Sequence, residues 1–177
     1  MKPILMVYLK IFLFTGVSFG IITIVIDSLS EPGFSWGRLM YSIAFFGGIM
    51  SLLLGTIHIL SLRAMGIKKF TNANLSVQQK KQIKSAIKPE NLISSLKSDP
   101  FINKMSMTEN NQGILMKSDI SWMSWGEKIS IKIVSQENPF TEYEIVSKPK
   151  LATNLVDAGK NFKNVSHLEN ILLKPIH

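Results

Sequence analysis

Hydropathy along the chain changes character once, near residue 62. Before that point apolar positions are concentrated in two unbroken runs; beyond it they recur in short stripes and alternations. The first part holds two apolar runs, Ile4–Ile26 and Leu39–Leu62, of 23 and 24 residues. A bilayer core about 30 Å thick needs about 20 helical residues, so each run is long enough to cross one. The connection Asp27–Arg38 is short and contains Pro32 and Gly33, which predicts a two-helix transmembrane hairpin over residues 1–66. A cleaved signal peptide is the competing reading of the first run. Its length, and the second run directly after it, weigh against that.

The pattern after residue 66 predicts a soluble α+β domain over 67–177. A helix is expected from Ser76 to about Lys88, because Ser76 and Gln79 have capping-box spacing and Ile83, Ala86 and Ile87 form an apolar side. Pro89 stops it and opens a second helix, Pro89–Lys97. Four strands follow: Ile102–Thr108, Ile114–Trp122, Lys128–Val134 and Phe140–Ser147. The third is the clearest, since Ile129, Ile131 and Ile133 alternate with Ser130 and Lys132. Short turn-rich links make neighbouring strands antiparallel. A last helix, Leu155–Leu173, carries the buried stripe Leu155, Phe162, Val165, Leu168 and Leu172. The expected order is therefore helix, helix, four-stranded antiparallel sheet, helix.

Charge sharpens this division. Of 20 Lys and Arg, 17 lie beyond residue 62, as do 10 of 12 Asp and Glu. Lys2, and then Arg63, Lys68 and Lys69, flank the outer ends of the hairpin, while its loop holds only Arg38. The positive-inside rule places both termini in the cytoplasm of a cell bounded by this inner (plasma) membrane. Tyr8 near one face, and Trp36 and Tyr41 near the other, suit interfacial belts. Lys10 and His58, the basic groups within the runs, are read as a snorkelling residue and a headgroup-level residue rather than parts of an ion path. Arg63, Lys68, Lys69 and the helical stripe Lys80, Lys84, Lys88 are candidates for contact with anionic inner-leaflet lipids, each worth on the order of 1 kcal/mol. Nucleic acid is not an expected partner, because no aromatic interleaving or module accompanies the charge.

Small residues recur at spacing four: Gly16 and Gly20, then Gly47, Ser51 and Gly55. Such stripes let helix backbones approach closely in lipid. They pack the two helices of one chain together, or they form a homo-oligomer or receive a membrane-protein partner.

Two polar-aromatic segments stand out as a candidate ligand or partner face. Trp122 and Trp125 sit in Ser121–Glu127, where Gly126 permits a turn that re-aims one ring. Asp157, Asn161 and Asn164 are spaced for one helical face, opposite much of the apolar stripe. Each segment also has a purely structural explanation. The chain has no cysteine, which removes disulfides and thiolate chemistry. Its three histidines sit far apart in sequence, and no metal-binding, phosphate-loop or catalytic-triad spacing is found. No cofactor is expected, and the reading leans away from an enzyme. The leading expectation is a non-enzymatic membrane-anchored interaction or regulatory module that oligomerises or docks a protein partner. The alternative is a lipid- or small-ligand-binding domain; its element order is similar to a helix-grip arrangement, with fewer strands.

Overall fold

The computed structural model describes residues 2–30, 33–110, 113–120 and 124–174. The chain divides into two compact units, Met1–Leu75 and Ser76–His177.

The first unit is a helical hairpin. Its helices α1 (Pro3–Ser28) and α2 (Trp36–Ala64) are both long and apolar enough to cross a membrane. Ser35 caps α2, its Oγ accepting the Arg38 N–H at 3.5 Å. The boundary falls later than the expected 66/67 because the segment after α2 folds back on the helix: His58 Nε2 lies 3.2 Å from Leu75 O, and both residues are buried. A carbonyl only accepts, so His58 donates here.

In the second unit, the core face of a five-stranded antiparallel sheet is covered by helices. The strands are β1 (Gln79–Ser85), β2 (Ser106–Asn110), β3 (Gly113–Lys117), β4 (Glu127–Glu137) and β5 (Phe140–Pro149), in the order β1-β5-β4-β3-β2. Between β1 and β2, at opposite edges, the chain crosses by α3 (Pro89–Lys97) and a 3-10 turn, Ile102–Lys104. The last helix, α4 (Lys160–Leu172), packs over β1 and β5. Ile83, Ile129, Ile131, Tyr143 and Ile145 from the sheet meet Leu92, Leu96, Leu168 and Leu172 from the helices in one buried cluster. Tyr143 takes its polar end into this core, where its O–H donates to Ile87 O at 2.8 Å. Burial raises the pKa of that phenol.

Three expectations are corrected. Ser76–Lys88 is not a helix: Gln79–Ser85 forms β1, so the sheet has five strands, not four. Ser76 and Gln79 form a local turn instead of a cap; Gln79 Nε2 donates to Ser76 O and Gln78 N–H to Ser76 Oγ. The stretch QKKQIKS contains one large apolar residue, which fits either period. Pairing along all seven residues with β5 decides the outcome. An edge strand rich in Lys also resists sheet-to-sheet association. Second, Ile102–Lys104 is a 3-10 turn, and β2 begins only at Ser106. Third, α4 starts at Lys160 rather than Leu155, because Gly159 stands at its N-cap with a φ of 74°, a left-handed conformation that ends any helix before it.

Candidate functional site

The small-residue stripes meet along the seam of the hairpin. A methyl group added at Gly47 would lie 2.9 Å from Phe12 O, and one added at Gly16 would lie 2.9 Å from Ile43 O. Gly20 faces the Ile43 side chain and Gly55 the Tyr8 ring at 2.7 and 2.6 Å by the same construction. Ser51 Oγ donates to Tyr8 O at 2.7 Å. All five positions therefore lie between α1 and α2 of one chain. At the loop end, Arg38 donates to the buried Asp27 at 2.7 Å. Lys10, by contrast, is exposed on the outside of the hairpin.

Asp157, Asn161 and Asn164 are brought together, but not opposite the apolar stripe. All three are buried; Asn161 and Asn164, with Val165, Leu168, Ile171 and Leu172, make up the inward face of α4, and Asp157 lies just before the helix. Spacings of three and four from Asn161 give this continuous stripe, whereas Phe162 is half-buried. The Asp157 carboxylate caps the helix start: Oδ1 accepts Gly159 N–H at 3.0 Å, and Oδ2 accepts Asn161 N–H at 2.8 Å and Asn161 Nδ2 at 2.7 Å. Ser147 of β5 links both asparagines, donating to Asn161 Oδ1 at 2.6 Å and accepting from Asn164 Nδ2 at 3.2 Å. Buried polar groups demand such partners, and here the partners tie α4 to β5.

A second buried carboxylate lies where β3 gives way to β4. Glu127 accepts hydrogen bonds from the hydroxyls of Ser118 and Ser124, one on each oxygen. Its own N–H donates to Ser118 Oγ at 2.8 Å, and Gly126 N–H donates to Ser124 Oγ at 3.0 Å. Gly126 has a φ of 91°, and a methyl there would come 2.8 Å from Ser118 O. Only glycine fits that turn. Trp125, just before it, is 59% exposed. Trp122 lies outside the described residues.

No family model and no curated protein matches this chain. Function has to be argued from the site itself.

Glu127 and Asn164 line one groove of about 380 Å³, together with Phe101, Ile120, Lys160 and Lys163. The Lys163 amine lies 6.0 Å from the centre of the Phe101 ring, a loose cation–π approach, and His167 meets that ring edge-on at 5.1 Å. His167 Nε2 also contacts Asp99 Oδ1 at 2.9 Å. Burial pushes the Asp99 pKa up. The His167 hydrogen bond, with the N–H groups of Ile102 and Phe101, outweighs that and holds the carboxyl below its ordinary range. Of the lysine stripe, Lys80 and Lys84 lie on the outer face of β1, and Lys88 precedes α3. Lys80 is held by Glu144 at 2.6 Å; that amine is the main cause of the lowered Glu144 pKa. Among the described residues, no group of three or more His, Asp or Glu is placed to hold a metal ion.

The serine partners of Glu127, the Phe101 and Ile120 contribution to the groove, and Ser147 are not singled out by the sequence. Ser118 and Ser124 are ordinary residues near a Gly turn, and only the fold brings them to one carboxylate.

Proposed function

We propose that this chain is a two-pass membrane protein whose second unit is a non-enzymatic interaction module on the cytoplasmic face. The observation that carries the reading is the distribution of apolar surface on the hairpin. Gly16, Gly20, Gly47, Ser51 and Gly55 all lie in the seam, beside Ile43 and the stacked Phe19 and Phe46, whereas Leu5, Leu9, Leu13, Ile21, Leu52 and Leu53 face outward. A water-soluble hairpin would bury the large residues and expose the small ones. Small residues inside and large ones outside is what packing within lipid requires. The basic residues Lys2, Arg63, Lys68 and Lys69 support cytoplasmic termini. With Gly16, Gly20, Gly47, Ser51 and Gly55 engaged in the seam, a protein partner or second copy is left the outward faces or the second unit.

For the second unit, the groove beside Glu127 favours a second reading, a small ligand with an acidic group. Phe101, Met105 and Ile120 give it apolar surface, and Lys104, Lys160 and Lys163 outnumber the acids Asp119 and Glu127 in its lining. Chemistry by Glu127 is disfavoured, because both its oxygens already accept serine hydroxyls.

Native mass spectrometry of the full-length protein from mild detergent separates these. A co-purifying protein or a defined oligomer with no small ligand supports the interaction module. A small ligand retained by the protomer and lost on Lys163→Glu supports the second reading. Topology is tested with single cysteines in this cysteine-free chain. A membrane-impermeant maleimide added to intact cells is expected to label Ser30→Cys in the loop and not Lys174→Cys; the reverse pattern would overturn the orientation.

A further inference from the structure

We propose that the end of the second unit where the chain enters it is a docking face for an anionic lipid bilayer, built from residues other than the basic ones that flank α2. The proposal rests on the membrane anchoring argued above.

Three strands set lysines side by side at this end. Lys117 of β3 lies opposite Lys128 of β4, which lies opposite Lys148 of β5. All three are exposed on the outer face of the sheet. Side chains directly opposite stand about 5 Å apart, and like charges at that spacing oppose folding. The acids of this face are engaged elsewhere: Glu144 binds Lys80, and Glu142 lies opposite Lys84 and accepts from Ser135. Glu127 points to the core side and is held by its two serines, which leaves Asp119 as the exposed acid nearby. A surface of phosphate groups converts this mutual repulsion into attraction.

Exposed apolar groups stand between β3 and β4 at this end of the sheet. The Gly126 turn holds Trp125 in solvent, and Ile120, three residues beyond β3, is 67% exposed. The Lys150 side chain lies over the same turn, with its amine 3.0 Å from where a Gly126 methyl would sit. An exposed Trp and Ile among lysines is the composition of an interfacial anchor, with rings at headgroup level and amines on phosphates. Beside the row the sheet dips into a hollow of about 370 Å³, lined in part by Leu115, Val146, Lys128, Lys132, Lys148 and Glu144, the last paired with Lys80, which is large enough for a lipid headgroup.

Connectivity selects the bilayer as occupant. Gln79, the first residue of β1, lies opposite Ser147, next to Lys148, so the chain enters at the lysine end of the sheet. Only 14 residues separate Ala64 from Gln79, at most about 50 Å of chain. If α2 crosses a bilayer, this end is held at high effective concentration beside it. An acidic protein would compete for the face without that tether.

The test uses the full-length chain in nanodiscs of phosphatidylcholine, with or without phosphatidylglycerol. Ile120→Cys carries a single environment-sensitive fluorophore, because the native chain has no cysteine. A separate Ile22→Cys chain, labelled on the outward face of α1, reports embedding of the hairpin. Docking is expected to make the Ile120 label quenchable by brominated lipid in anionic discs only. It is expected to weaken with salt and on changing Lys117, Lys128 and Lys148 to Gln, about fivefold per lysine and on the order of 100-fold in all. An Ile120 label open to aqueous iodide in anionic discs, with the Ile22 label lipid-quenched, overturns docking and leaves anchoring intact. An iodide-accessible Ile22 label overturns both. Protection that persists in neutral discs, or that survives the three Lys→Gln changes, also overturns the proposal, since something other than anionic lipid then covers the face.

Discussion

The seam between α1 and α2 and the seam between α4 and the sheet both hold a helix in place, by opposite means. In the hairpin, glycines bring backbone to within contact of backbone, and many large apolar side chains point away, while others such as Ile11 and Leu39 are buried. Beneath α4, Leu168, Ile171 and Leu172 point in, and exposed positions such as Lys163 and Asn170 point out. On the membrane placement proposed above, the difference is one of solvent. Water rewards burial of Leu, so α4 is located by its apolar stripe. Lipid tails are as apolar as Leu, so burial of large side chains locates nothing and close packing has to do it. Polar groups follow the same division. In the second unit the Asp157–Asn161–Ser147–Asn164 network fixes where along β5 the helix begins, and in the hairpin the Asp27–Arg38 pair closes the loop end.

The sharpest way to break this contrast is Gly47→Leu. The new side chain meets Phe12 O and Gly16 Cα, and the helices must separate. Loss of disulfide formation between cysteines placed at Phe19 and Phe46, whose rings stack at 4.2 Å in the native seam, is the expected result. Unchanged crosslinking would mean that the seam does not depend on close approach. On the other side, Leu168→Ala should destabilise the second unit by about 2–5 kcal/mol, read as an earlier urea transition of that unit. The same substitution at the outward Leu13 is expected to have little effect in lipid.

Asn161→Leu is a subtler probe. By the helical period Leu belongs at this position, yet it strips hydrogen bonds from Asp157 and Ser147. A loss of about 1–3 kcal/mol is expected by the same urea measurement. A gain in stability would show that the network is dispensable to packing. The smallest effect concerns Asp99. Its pKa is lowered in the folded state, so its contribution is present above the ordinary aspartate range and is lost as pH falls through the folded value. Asp99→Asn should therefore slightly lower stability at neutral pH and flatten the decline on the acid side of about pH 4. Parallel acid titrations of the two proteins, followed by circular dichroism, check this.

The parts of the fold that were legible share a physical cause. The ends of α1, α2, β4 and β5 lie close to those expected, because long apolar runs and strict alternation each permit one structure. The Ser76–Lys88 segment misled because its helix signals are local and weak, whereas its strand state depends on β5, some sixty residues later. The asparagines misled in another way. Polar residues were placed on the outer face of α4, but a buried position accepts Asn when a serine on the neighbouring strand completes its hydrogen bonds.

By itself, the sequence determined that the chain has a strongly apolar part and a mixed polar part, two long helices in the first, and an antiparallel α+β unit in the second. Those features follow from hydrophobic period and run length, which are properties of neighbours along the chain. Tertiary structure alone decided that β1 is a strand, that Asn161 and Asn164 face inward, that Ser118 and Ser124 meet on Glu127, and that three lysines stand in one row. Each of these depends on strand register, which joins residues far apart in the chain, so no local pattern carries it.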